Sequence, residues 1–174
     1  MKKVAIFGNA GGGKSTLARR LAQTTGLPLY TIDKLQYRPG GAAVPHDHYR
    51  RLHSALLTED EWILDGFGCM ESAWERFSAA DTLVHVDLPL VIHCWWVSKR
   101  MLQGLYSNPE GWPEDSPVMK SSLNSYRVLW PCHTRLTPAY RKLTEEARGS
   151  KVVYHLTSPA AIRRFSADVE TFTG

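Results

Sequence analysis

Short blocks of unbroken apolar residues alternate along this chain with longer stretches in which apolar residues recur every three or four positions. Val4-Ala5-Ile6-Phe7 is the first block, and a run of that length without polar relief predicts a parallel strand buried on both faces. Over 14–24, Leu17, Ala18, Leu21 and Ala22 fall at helical spacing, and Gly26 and Pro28 end the helix. Residues 29–32 predict a second strand. Asp47 stands where it would cap a helix whose apolar face is Tyr49, Leu52, Leu56 and Leu57. Trp62-Ile63-Leu64 is a third strand closing on Asp65-Gly66, residues 82–86 a fourth closing on Asp87, and residues 152–156 a fifth. A helix is predicted over about 90–105. Ser158 and Pro159 supply an N-cap and a first-turn proline for a last helix bearing Ile162, Phe165, Val169 and Phe172 on one face.

Apolar strands alternating with amphipathic helices predict an α/β fold of three layers. Its five-stranded parallel sheet is covered by helices on both faces through right-handed crossovers. The 174 residues suit one domain, 1–174. Ligands in such sheets bind at the C-terminal ends of the strands, which directs attention to residues 8–15, Asp33-Lys34, 65–70, 87–89 and Thr157-Ser158. The stretch 103–138 breaks the pattern. It holds Asn108-Pro109, Gly111-Trp112-Pro113 and Ser116-Pro117, and reads either as a mobile lid with embedded helices or as a fixed helical insertion that completes the core.

The first strand end carries the most specific chemistry. Gly8-Asn9-Ala10-Gly11-Gly12-Gly13-Lys14-Ser15 fits GxxxxGK[ST] in full, between a strand and a helix. Glycines let the backbone wrap closely, so that amides through Thr16 point at phosphate oxygens beside the positive end of the helix. Lys14 is expected to reach the β- and γ-phosphates of ATP, and Ser15 to ligate Mg²⁺.

Composition adds limits. A net charge of +4 and a pI near 9.0 fit arginines gathered at a phosphate site, and also a nucleic-acid surface, although the basic residues are scattered. The cysteines Cys69, Cys94 and Cys132 have no CxxC or zinc-type spacing, which predicts free, partly buried thiols. The apolar run after Met1-Lys2-Lys3 is too short for a signal sequence, and no stretch is long enough for a membrane span. A cytoplasmic protein without membrane partners is the expectation.

Three strand-end carboxylates are candidates. Asp65 would hold Mg²⁺ across the cradle from Ser15. Asp33 would either orient or deprotonate an acceptor hydroxyl or cap a helix. Asp87, a rival for the metal role, reads as a helix cap.

The cradle, Asp33-Lys34-Leu35, Trp62-Ile63-Leu64-Asp65-Gly66, Val86-Asp87-Leu88-Pro89, Lys99-Arg100 and Leu156-Thr157-Ser158-Pro159 occur in that order. Together they resemble the adenylate-kinase-related "topology modulation protein" family over nearly the whole chain. The resemblance implies a nucleoside-monophosphate-kinase-like fold, an acceptor site after the second strand and a lid bearing arginines. In adenylate kinases Pro-Arg follows the Asp-Gly-Phe motif, and that arginine holds the acceptor phosphate; here Gly68 and Cys69 stand in those places. Relatives place arginines seven and eleven positions after Pro89, where this chain has Trp96 and Arg100. The resemblance thus makes Arg100 a candidate phosphate clamp, and Trp96 either stacks on adenine or packs in the core, where Trp95 is also expected.

Transferring a phosphoryl group needs positive charge around it. Arg100, Arg127, Arg135 and Arg141 lie on or near the lid, and Arg135 best fits the family's lid arginine. The segment of about 33–60 covers the acceptor side. There Lys34, Tyr37, Arg38, Arg50 and Arg51 suit an anionic or base-bearing acceptor, while His46 and His48 read as polar loop residues without metal partners. The reading is an ATP-dependent phosphotransferase with Lys14, Asp33, Arg100 and Arg135 as catalytic groups and a small-molecule acceptor. The alternative is a nucleotide-binding regulator of a partner or of DNA, although no DNA-reading motif is present.

Overall fold

The structure, a computed structural model, describes residues 1–103 and 118–173, without the side chains of 100, 103, 118–124, 172 and 173. Strands β1 (Lys3–Gly8), β2 (Leu29–Thr31), β3 (Trp62–Asp65), β4 (Thr82–Val86) and β5 (Val152–Leu156) form one sheet in the order β2-β3-β1-β4-β5. Every neighbouring pair is parallel. The three central strands are buried almost throughout, which requires helices on both faces.

Side chains alternate between those faces. On one, Val4, Ile6, Ile63, Val84 and Val86 pack under α1 (Lys14–Thr25), α5 (Leu90–Gln103) and α8 (Pro159–Thr173) through Leu17, Leu21, Trp96, Phe165 and Val169. On the other, Ala5, Phe7, Leu64 and Leu83 meet α3 (His46–Thr58), α4 (Met70–Ala79) and α7 (Thr137–Ala147) through Tyr49, Phe77 and Tyr140. The Ser158 hydroxyl accepts the Ala161 amide at 3.1 Å, so α8 begins with the cap its sequence offers.

Several local expectations are corrected. The second strand stops at Thr31, and Ile32 opens a short helix, α2 (Ile32–Gln36). Asp47 caps nothing: it lies inside the first turn of α3, whose N-cap is Pro45. Leu52 faces solvent, and His53 takes its place on the buried side, because its ring fits beside Tyr49 and Arg76. Helix α4 was not anticipated, although Ala73 and Phe77 sit at the i, i+4 spacing of a buried face.

Of the expected lid, 104–117 lie outside the described residues. The rest is helical: α6 (Val118–Pro131), a π-helical turn (Cys132–Leu136) and α7 follow one another without a break. Pro131 and Pro138 flank this widened turn and cannot donate to the helical ladder. The Thr137 amide reaches back five residues to the Cys132 carbonyl.

Candidate functional site

The loop between β1 and α1 lies at the C-terminal edge of the sheet, and no side chain caps α1. Gly13 takes φ 72°, and a Cβ there would stand 3.1 Å from the Trp96 ring. A larger residue would be strained by its backbone and pressed against an indole. Trp96 therefore packs between the loop and the apolar face under α1. Trp95, expected in the core, is 68% exposed, because α5 turns it away from the sheet.

Buried polar groups hold the loop. The Asn9 side chain donates to the Leu129 carbonyl of α6 at 3.0 Å and accepts the Ala10 amide at 2.8 Å. His93 of α5 donates from Nδ1 to the Ala10 carbonyl at 2.8 Å. Burial, with Lys14 nearby, lowers the His93 pKa to about 4, so the ring is neutral near pH 7. The Lys14 ammonium donates to the Asn9 carbonyl at 2.8 Å. His93 escaped the sequence reading, although a lone imidazole on the apolar face of a helix was a visible signal.

Asp65 ends β3 beside the loop, in register with Ile6 of β1 and Thr31 of β2. It is 2% exposed. Its carboxylate is bonded by the Ser15 hydroxyl and the Gly66 amide, and burial pushes its pKa up against the pull of Lys14, Ser15 and Arg76. Oδ1 of this carboxylate is buried with no hydrogen-bond partner. A buried, unsatisfied carboxylate oxygen beside a hydroxyl is a hard donor set that suits Mg²⁺. Asp33, in α2, brings its Oδ1 to 3.6 Å from the position a Cβ would take on Gly66. Asp33, Asp65, Ser15 and Lys14 thus converge on one edge of the sheet.

Asp87 is no cap, since α5 begins only at Leu90. Its buried carboxylate accepts from Arg141 Nε at 2.7 Å and Nη2 at 3.0 Å, and bonds His155 Nε2 at 2.8 Å. Burial would raise its pKa, but these partners lower it. Arg141 is thereby tied to the sheet although, like Arg127 and Arg135, it is largely exposed. Arg100 lies on α5, and its side chain is outside the described residues.

On the acceptor side, Tyr37 and Ala43 bridge a tight hairpin between α2 and α3. His46 and His48 belong to the first turn of α3 rather than to a loop, and both are exposed. Gly68 takes φ 80°, and a Cβ there would collide with the Tyr49 hydroxyl. A proline is excluded by that φ. Cys69 caps α4. Burial would raise its thiol pKa, but hydrogen bonds with Ser72 and the Arg50 guanidinium lower it below the usual value. The arginine of this region is Arg76. It is fully buried, and its Nη2 donates to the carbonyls of Gly66 and Phe67 at 2.8 and 3.1 Å. It braces the loop after Asp65 from inside.

Among the described residues, no helix is long and apolar enough to cross a membrane, and all three cysteines are free and partly buried. No family model and no curated protein matches the sequence. Solved structures do align with the chain. A shikimate kinase from Acinetobacter baumannii, in complex with shikimate, aligns at TM-score 0.62 and 16% identity over 99% of this chain and 92% of its own. A sugar kinase from Janibacter sp. aligns at TM-score 0.48 and 13% identity over 99% and 91%. The chain therefore has the α/β P-loop fold found in shikimate kinase, with its five-stranded parallel sheet.

Proposed function

We propose that this chain is an ATP- and Mg²⁺-dependent phosphotransferase that moves the γ-phosphoryl group to a hydroxyl or phosphate of a small acceptor, such as a nucleotide, a nucleoside or another metabolite. The observation that carries this reading is the pairing of the glycine cradle with a buried carboxylate. Ser15 bonds Asp65, and Asp65 keeps one buried oxygen without a partner. The fold shared with shikimate kinase and the sequence resemblance to adenylate-kinase-related topology modulation proteins support it.

In this mechanism the amides of Gly8 to Thr16 cradle the triphosphate. Lys14 leaves the Asn9 carbonyl for the β- and γ-phosphate oxygens. Ser15 and Asp65 would hold Mg²⁺, which when bound neutralises phosphate charge. Asp33 orients the acceptor hydroxyl and takes its proton as the acceptor oxygen bonds to phosphorus. The bond from the γ-phosphorus to the β–γ bridging oxygen breaks, and ADP leaves. Arg100 and Arg135 supply positive charge around the transferred group.

An ATP-consumption screen with Mg²⁺ tests the reading against nucleoside monophosphates, nucleosides and hydroxylated metabolites. One acceptor that raises turnover well above the acceptor-free rate is the expected result. A flat panel beside measurable ATP binding would overturn the transferase reading and favour a nucleotide-regulated protein. In that case salt-dependent retention on DNA would be the next measurement.

A further inference from the structure

The fold brings His46 to two side chains distant from it in sequence, Cys69 and Glu71, and phosphoryl transfer uses none of the three. His46 is the first residue of α3, Cys69 is the N-cap of α4, and Glu71 lies in the first turn of α4. One ligand atom from each lies within 4.8 Å of the other two. In the sequence His46 had no metal-binding partner at a recognisable spacing; the packing of α3 against α4 provides two.

The cysteine is already oriented. Its side chain accepts the Ser72 backbone amide in a capping box. Its own amide donates to the Ser72 hydroxyl at 3.1 Å, and Sγ lies 3.3 Å from that hydroxyl. These bonds fix the direction of Sγ before any ion arrives. Local charge is also favourable. The nearby cation Arg50 is paired with Glu75 at 2.5 Å, so a thiolate at 69 and the Glu71 carboxylate leave two negative charges for a dication. His46 and Glu71 are exposed, which gives an ion a way in and leaves room for water as a fourth ligand. Imidazole, thiolate and carboxylate together suit tetrahedral Zn²⁺ and its relatives, whereas Mg²⁺ prefers an all-oxygen shell.

We propose that His46, Cys69 and Glu71 bind one thiophilic divalent transition-metal ion of the Zn²⁺ class, separate from the Ser15–Asp65 site. The ion ties the first turn of α3 to the first turn of α4. It thereby fixes the wall formed by residues 66–69 next to Asp33. This site does not depend on the transferase reading.

The test uses Co²⁺ as the spectroscopic probe, added to the full, reduced chain in excess Mg²⁺. The expected result is one equivalent bound, with a near-ultraviolet thiolate-to-Co²⁺ charge-transfer band and four-coordinate visible bands, all displaced by Zn²⁺. Cys69→Ser should abolish the charge-transfer band while α4 keeps a favoured cap. His46→Ala and Glu71→Gln, both at exposed helix positions, should each weaken Co²⁺ binding by about tenfold or more. The proposal is overturned if the wild-type chain shows no charge-transfer band. It is equally overturned if the band persists in Cys69→Ser, which would move the thiolate to Cys94 or Cys132, or if neither His46→Ala nor Glu71→Gln changes the affinity.

Discussion

Lys14 and Asp65 are both held by neighbours before any nucleotide arrives, and that shapes what each substitution should do. Lys14 is half-buried, and its ammonium rests on the Asn9 carbonyl. Lys14→Ala should leave the fold intact and weaken ATP binding roughly ten- to a hundredfold, the worth of a hydrogen-bonded charge on a phosphate. Calorimetry on a variant shown to be folded by circular dichroism would check this, and unchanged affinity would remove Lys14 from the cradle. Asp65→Asn keeps the shape but loses the charge. Mg²⁺-dependent turnover should fall by on the order of a hundredfold, with metal-free nucleotide binding nearly unchanged. Equal loss of both would make Asp65 a structural residue.

At the scale of elements, three histidines are packed where strands and helices meet. His53 of α3 lies beside Arg76 of α4, His93 of α5 lies under the phosphate loop, and His85 of β4 stacks between Phe7 of β1 and His155 of β5. Burial lowers the pKa of His53 and His93 to about 4 and that of His85 to about 3. In the unfolded chain each titrates near 6.5. Below about pH 6.5 the unfolded chain binds protons that the folded chain excludes, so stability falls as the pH drops toward about 4. Each excluded proton contributes at most about 1.4 kcal/mol per pH unit. Urea unfolding at about pH 7, 6 and 5 should show a falling midpoint with a steady slope. A midpoint independent of pH over that range would mean that these rings gain protons without unfolding.

For the whole molecule, the phosphate loop joins parts distant in sequence: the sheet through β1, α5 through His93 and α6 through Asn9. A ligand that fills the cradle should therefore stabilise the entire fold rather than one loop. At about a hundred times its dissociation constant, Mg²⁺–ATP should add about 2.7 kcal/mol, or roughly 5–10 °C in Tm for a chain of this size. Thermal scans with and without nucleotide would read the shift, and at the same nucleotide concentration it should fall to about half or less in Lys14→Ala. A stabilisation as large in Lys14→Ala would place the nucleotide elsewhere.

The sequence by itself determined whatever rests on local pattern. Unbroken apolar runs marked the strands, because a strand covered on both faces has no polar side. The glycine-lysine-serine run of residues 8–15 was legible as a candidate cradle, because such a motif consists of consecutive residues. Pairings between distant residues needed the tertiary structure. Asp87 looked like a cap until Arg141 and His155 met it across the sheet. Trp95 looked like core until the rotation of α5 turned it outward. Arg76 gave no local sign that it would brace the loop after Asp65, and His46 none that it would meet Cys69 and Glu71. Side-chain direction on a helix follows from how that helix packs, and the charge state of a buried group follows from what surrounds it. Neither property belongs to a residue until the chain has folded.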